Sequence, residues 1–526
     1  MSPAERADRS AAPDPPFDAF ARIDDPAAFW ARHTPGAPAV SQGGVVRAYA
    51  DFAADIERGA AFLADRGVGP GDRVLLVIEN GLAAATLLLA VSKVGAWAVP
   101  VNARLSPREV ETIRAHARPR ISVYSVAVSP EAKAHAERDA ALPALELDTL
   151  GAVYRPARED VTPESEPPEP RERIAAVLYT SGTTGAPKGI MLSHANLLFV
   201  AGRTAWMRRL GPSDRVYGVL PVSHVYGLAS VLLGALYRGA RIDLVPRFVP
   251  EEAARALVED GITVFQGVPT IYAHLVSLAA ARGASLSAPR LRHISVGGAP
   301  LDLTLKRKVE AMFGIPLHNG YGLTEASPAV STTPMGRRSE DDTVGTPLPD
   351  VEIRIVDRRG HPLPAGEIGE LWVRGGSVMK GYYRDPKGTA EVLTPERWLK
   401  TGDLARRSKD GDLYIVGRLK EVIIRSGFNV YPVELEAVIA SHPDVALAAV
   451  VGRRRDGNEE AVAFVQPQPG TSLDLDELAA YVAQRLAPYK RPAHYVLRAT
   501  LPVTSAGKIL KHKLKKELER GPRRGS

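Results

Sequence analysis

Residues 174–189 read IAAVLYTSGTTGAPKG: an apolar run that passes straight into glycine, serine and threonine and ends on Lys188. The apolar half predicts a buried strand. In the half that follows, glycines open backbone conformations closed to other residues, so that amides can turn toward a ligand. Thr180, Ser181, Thr183 and Thr184 add hydroxyl donors and Lys188 a cation. Such a loop suits a polyphosphate. It is not a Walker A loop, because Pro187 stands five residues beyond Gly182 and no Gly-Lys-Ser/Thr follows.

The flanks place that strand in an α/β fold. Upstream, residues 48–67 and 81–95 alternate with the apolar runs 73–78 (RVLLVI) and 96–101 (AWAVPV), the rhythm of a mostly parallel sheet. Alternation continues to about residue 320. Residues 351–356 and 370–374 then read as short strands between Gly and Pro turns, which suits a small barrel or antiparallel subdomain. From about residue 419 a compact α+β end domain begins, with helical periods at 434–441 and 475–486 and strands at 446–451 and 461–465. Residues 155–173 hold five prolines and five glutamates and read as an exposed linker. The lysine-rich stretch 511–524 reads as a solvated terminal helix and tail.

Composition narrows the function. A chain of 526 residues predicts about three domains. With no cysteine it has no disulfide framework, thiolate metal site or cysteine nucleophile. A formal charge of +7, spread over this length, gives no argument for nucleic acid. The longest apolar candidate, residues 81–92, is too short to span a bilayer, and residues 1–17 lack the apolar centre of a secretory signal. A cytoplasmic protein without a membrane segment is the expectation.

Four further motifs follow the glycine-rich loop in order: NGYGLTE (319–325), TGDL (401–404), GRLKEVIIRSGFNVYPVELE (417–436) and PVTSAGKIL (502–510). The glycines of the first let backbone approach a flat base, Tyr321 offers a stacking face, and Thr324 and Glu325 offer oxygen ligands. Asp403, read in a Gly-Asp turn, can accept both hydroxyls of a ribose. With the loop at 179–189, the set resembles the signatures of the adenylate-forming superfamily, in its AMP-dependent acyl-CoA synthetase branch. The resemblance covers essentially the whole chain.

It implies a large N-terminal AMP-binding domain, 1–416, of two αβ-layered sheets (roughly 1–170 and 171–345) plus a small distorted β-barrel (346–416). A hinge at 417–420, centred on Lys420, leads to a small mobile α+β domain, 421–526. It implies an ATP/AMP site from Thr180, Ser181, Gly182, Thr183, Thr184, Gly185 and Lys188, from Gly298, Ala299 and Pro300, and from Asn319, Gly320, Tyr321, Gly322 and Thr324. Asp403, Ile415, Arg418 and Lys508 complete that site. Lys508, Glu325, Thr183 and His224 are the implied catalytic residues, and Thr184 and Glu325 the ligands of Mg2+. Ser426, Gly427 and Phe428 would form a CoA tunnel, and His224, Val225, Val268, Gly297, Gly298 and Gly322 an acid pocket. The implied reaction joins a monocarboxylic acid, fatty or aromatic, to CoA with ATP as co-substrate. Loading of an acyl carrier protein is the alternative, and the oligomeric state stays open, a homodimer included. Apart from His224 the pocket segments contain no cation, which argues against dicarboxylates.

Overall fold

The computed structural model describes residues 14–520 other than 145–146, 148–149, 157–160, 181–187, 284–285, 426–427, 456–457, 469 and 504–508. Two large sheets carry the architecture. In the first, of eight strands, Arg73–Ile78 and Trp97–Asn102 run parallel at the centre, and all six residues of the former are buried. A strand buried on both faces needs apolar residues at every position, which is why RVLLVI shows no alternation. The helix Leu82–Lys93 is buried on every side, because it packs between strands of both large sheets. The longest apolar run in the sequence is therefore an interlayer helix. Among the described residues no helix is long and apolar enough to cross a membrane.

The second sheet has nine strands. Leu317–Gly322, His293–Val296, Val264–Gly267, Arg215–Gly218, Arg241–Leu244 and Pro38–Gln42 run parallel in that spatial order. The region read as a small barrel or antiparallel subdomain holds a four-stranded antiparallel sheet: Val351–Val356, Gly369–Gly375, Leu399–Arg407 and Leu413–Arg418. From Ile423 onward the buried side chains form clusters of their own, around a three-stranded sheet flanked by the helices Pro432–Ala440 and Leu475–Ala483.

Two expectations are corrected. The stretch read as an exposed linker is strapped to the first sheet over its described residues 161–173. Arg73 donates to the Thr162 carbonyl at 3.0 Å, Tyr383 to Glu164 at 2.5 Å, and the Trp97 indole to Glu166. Gly71, at φ +77°, accepts this strap so closely that a Cβ there would lie 2.1 Å from the Glu164 carbonyl oxygen. Proline-rich composition removed helix and strand ladders, but not hydrogen-bonding side chains. The basic tail is likewise only partly solvated. It starts as the helix Lys511–Arg520, with Leu514 buried and Lys511 paired to Glu421 and Glu436 at 2.8 Å each.

Candidate active site

A cavity of about 1410 Å³ opens at the carboxyl ends of the parallel strands of the nine-stranded sheet, the usual ligand position in α/β proteins. Its remaining walls come from the strands Leu399–Arg407 and Leu413–Arg418 and from C-terminal segments that include Val450, Val503, Leu510 and Lys511.

At one end the polar groups are tied to each other. Thr180 and Lys188 stand opposite one another in antiparallel register and both line the cavity, so the glycine-rich loop leaves and re-enters the sheet there. The Lys188 ammonium lies 4.6 Å from the centre of the Tyr382 ring, a cation–π distance. The Tyr382 hydroxyl donates to Glu325 Oε1 at 3.0 Å. Burial, reinforced by the Glu325 carboxylate, pushes the Tyr382 phenol far above its ordinary value, so it remains a donor. Beside this chain, Asp403 pairs with Arg418 in the strand register, Oδ1 to Nε at 3.1 Å, while its Oδ2 accepts from the Tyr321 hydroxyl at 2.5 Å. A carboxylate has about four lone-pair sites, so two remain for a diol. Asp403 sits within a strand and not in the expected turn. Gly322 allows backbone crowding at this end: a Cβ there would fall 2.3 Å from the Pro328 carbonyl oxygen.

Of the residues expected from sequence, the cavity brings together Thr180, Lys188, His224, Val225, Val268, Gly297, Gly298, Gly320, Tyr321, Gly322, Thr324, Glu325, Asp403, Arg418 and Lys420. Five others take different places. The Asn319 side chain is buried, donating to the carbonyls of Thr343 and Asp342 at 3.1 and 3.3 Å. Ile415 packs against the main core. Ala299 and Pro300 follow Gly298 without lining the cavity. Phe428 also stands apart, 54% exposed and stacked on Tyr489 with ring centres 4.7 Å apart. Ser181, Gly182, Thr183, Thr184, Gly185, Ser426, Gly427 and Lys508 lie outside the described residues. The Lys508 segment is bracketed by the cavity-lining residues Val503 and Leu510.

The model of the family described as AMP-binding enzyme matches residues 28–383, and that of the AMP-binding enzyme C-terminal domain matches 434–508. The chain belongs to the AMP-binding enzymes. It is 36% identical over 489 residues to a feruloyl-CoA synthase of Amycolatopsis sp, covering 92% of this chain and 97% of that one. It is 34% identical over 457 residues to a sulfoacetate–CoA ligase of Cupriavidus necator, covering 85% and 88%. Among solved structures, ATP-bound MatB from Rhodopseudomonas palustris superposes with a TM-score of 0.80 at 29% identity, covering 93% of this chain and 98% of that one.

The other end of this AMP-binding enzyme's cavity corrects the sequence reading. The cavity wall includes Ser295, which begins an expected pocket segment, and also Arg208, Ser230, His293 and Ser331, none of them among the expected site residues. The case against dicarboxylates rested on a pocket without a cation, and Arg208 removes that ground. Period two made part of this legible: in the strand His293–Val296, residues 293, 295 and the following Gly297 share one face. Arg208 had no comparable signal, since it ends a helix, His194–Met207, whose other residues are mostly core. Tyr382 was missed too, because it reaches Glu325 from a two-residue strand, Gly381–Tyr382, 57 positions away in sequence.

Proposed function

We propose that this AMP-binding enzyme is an AMP-forming carboxylic acid–CoA ligase. The observation that carries the reading is the juxtaposition, in one cavity, of a phosphate-type set (Lys188, Tyr382, Glu325) with a ribose-type set (Asp403, Arg418, Tyr321).

In the first half-reaction a carboxylate oxygen of the acid bonds to the α-phosphorus of ATP. The bond from that phosphorus to the β-bridging oxygen breaks, and pyrophosphate leaves. Both reactants are anions, so the site must hold them in line and offset their charge. Lys188, with Thr183 and Thr184 of its loop, would receive the departing pyrophosphate. Asp403 would anchor the ribose, with Arg418 keeping it aimed. His224, exposed toward the cavity and accepting from the Tyr226 amide at 3.3 Å, would stand between acid and nucleotide. Lys508 would bring a cation to the carboxylate and α-phosphate oxygens. The family implies Mg2+, and among the described residues no group of three or more His, Asp or Glu could hold a metal unaided. Glu325 faces the cavity with Oε1 held by Tyr382, which fits the magnesium habit of one or two protein carboxylates completed by substrate phosphates. Glu325, with Thr184, would hold the ion, which when bound shields phosphate charge.

In the second half-reaction the CoA sulfur bonds to the acyl carbon and AMP leaves. Rotation of the domain beginning at 421 about Lys420 would withdraw Lys508 and bring up Ser426, Gly427 and Phe428 for the pantetheine arm. The test is a panel of acids with ATP and Mg2+, reading pyrophosphate and AMP with and without CoA. Acid-dependent pyrophosphate release, with sustained AMP formation only when free CoA is present, is the expected result. AMP formation that ignores CoA and needs a carrier protein would overturn it.

A further inference from the structure

Part of the cavity wall is polar, and its polar groups are not satisfied by the protein. Both ring nitrogens of His293 and the hydroxyls of Ser230, Ser295 and Ser331 are buried without a hydrogen-bond partner. His293 is 4% exposed, Ser295 5%, and Ser230 and Ser331 1% each. All four residues line the cavity, and the unmatched atoms themselves lie buried in its wall. A buried polar group left unmatched keeps the cost of its lost hydration. Four such residues around one space mark a place where a substrate completes the bonding.

Arg208 supplies the charge. Its Nη1 donates to the Ser230 carbonyl at 2.8 Å. The Gln266 amide, oriented by its bonds, accepts from Nη1 and Nη2 at 3.1 and 3.2 Å. These neutral partners fix the guanidinium without cancelling it. No carboxylate among the described residues pairs with it. A guanidinium carries five N–H donors in a rigid fork, so donors are left for a ligand oxygen. Burial holds the His293 imidazole well below its ordinary value, with the neighbouring His318, Arg208 and Arg292 acting in the same direction. It therefore stays neutral, offering one donor and one acceptor.

Position sets the length of what fits. His293, Ser295 and Gly297 share one face of a strand that ends beside the nucleotide-side glycines. From Gly297 back to His293 is four residues, about 13 Å along a strand. An acid with its reacting carboxylate at Gly297 would thus extend its far end past Ser295 toward His293 and Arg208.

We infer that the acid this enzyme activates carries an oxygen acceptor at its far end, and that Arg208, with Ser295, Ser331 and His293, holds that group. The inference rests on the ligase reading and narrows it: unsubstituted hydrocarbon acids, fatty or aromatic, are the poor substrates. The acceptor can come from a hydroxyl or from a second carboxylate, and the two are separable by experiment.

The test measures kcat/KM for acid-dependent pyrophosphate release with cinnamate, para-hydroxycinnamate, para-carboxycinnamate, octanoate and octanedioate. It uses the full chain as wild type, Arg208→Met and Ser331→Ala. In wild type, at least one oxygen-bearing acid exceeds its plain counterpart by roughly 10- to 100-fold, the worth of one charge-assisted hydrogen bond. Preference for para-hydroxycinnamate identifies a hydroxyl, and preference for a diacid identifies a carboxylate. Arg208→Met collapses the ratio between oxygen-bearing and plain acids, and Ser331→Ala lowers it by a smaller factor. The ratio is immune to partial misfolding, which lowers both acids together. Plain acids equal to or better than their oxygen-bearing partners in wild type would overturn the inference while leaving the ligase reading intact. An Arg208→Met ratio equal to wild type would overturn the role of Arg208. If no acid supports pyrophosphate release, the ligase reading itself fails.

Discussion

The two ends of the cavity treat their polar side chains in opposite ways. Near Lys188 and Asp403 the charged groups are matched within the protein: Glu325 by Tyr382, Asp403 by Arg418 and Tyr321. Around Arg208 they are held by neutral partners or by none. The nucleotide of the proposed reaction is always ATP, so the groups that receive it can be built as a finished set that aims itself before ligand arrives. The acid varies between relatives, and a chain committed to one acid can leave bonds for that acid to complete. Pairing stiffens the first end, while the second gains its selectivity from the cost of an unmatched buried group.

This comparison yields tests of graded size. The largest effect belongs to the first half-reaction. Lys508→Ala is expected to lower acid-dependent pyrophosphate release by roughly 10²–10³, the usual loss when a transition-state contact to developing charge is removed. Thioester formation from pre-formed acyl-AMP and CoA stays near the wild-type rate. Equal loss in both half-reactions would break the two-conformation scheme.

Next comes the ribose anchor. Asp403→Asn removes the negative partner of Arg418 and replaces one of the two acceptor oxygens by a donor, and is expected to raise KM for ATP by about 10- to 100-fold, because hydrogen bonds to a charged acceptor are the stronger ones. An unchanged KM for ATP would show that the pairing is structural only.

A third test uses pH. Three histidines around the core are held neutral by burial: His194, pushed down to about 3, and the stacked pair His293 and His318, both lowered. Their unfolded value is about 6.5, so below it the unfolded chain takes up protons that the folded chain refuses. Stability is therefore complete above about pH 6.5 and falls as pH drops toward the folded values. Calorimetry at pH 7.5 and 5.5 should show a lower Tm at pH 5.5. A Tm that is flat or rises would contradict neutral burial. The smallest effect is that of Tyr382→Phe, which removes one hydrogen bond to Glu325 while keeping the ring beside Lys188. About a fivefold fall in kcat/KM for ATP is expected, near 1 kcal/mol.

The same contrast explains what the sequence made readable. Strands such as Arg73–Ile78 and Ile174–Thr180 were visible in full, since continuous burial leaves an unbroken apolar run. The nucleotide end was visible because its residues cluster in short motifs: Tyr321 and Glu325 lie in one, and Asp403 and Arg418 in two more. The acid end was not, because its polar residues come singly from a helix end, a π-helix at Tyr226–Leu233, and two strands of the nine-stranded sheet. Only tertiary packing makes neighbours of Arg208, Ser230, His293 and Ser331. The strap at 161–173 was misjudged for a related reason: its partners Gly71, Trp97 and Tyr383 are remote in sequence.

The division of the cavity into a pre-paired nucleotide end and an unpaired acid end is tested most directly by measuring KM for ATP and KM for the preferred acid in Asp403→Asn and Arg208→Met side by side. The account predicts a crossed pattern: Asp403→Asn raises KM for ATP and Arg208→Met raises KM for the acid, each by at least about tenfold, with the other constant within about twofold of wild type. Both constants rising together in either variant would contradict it.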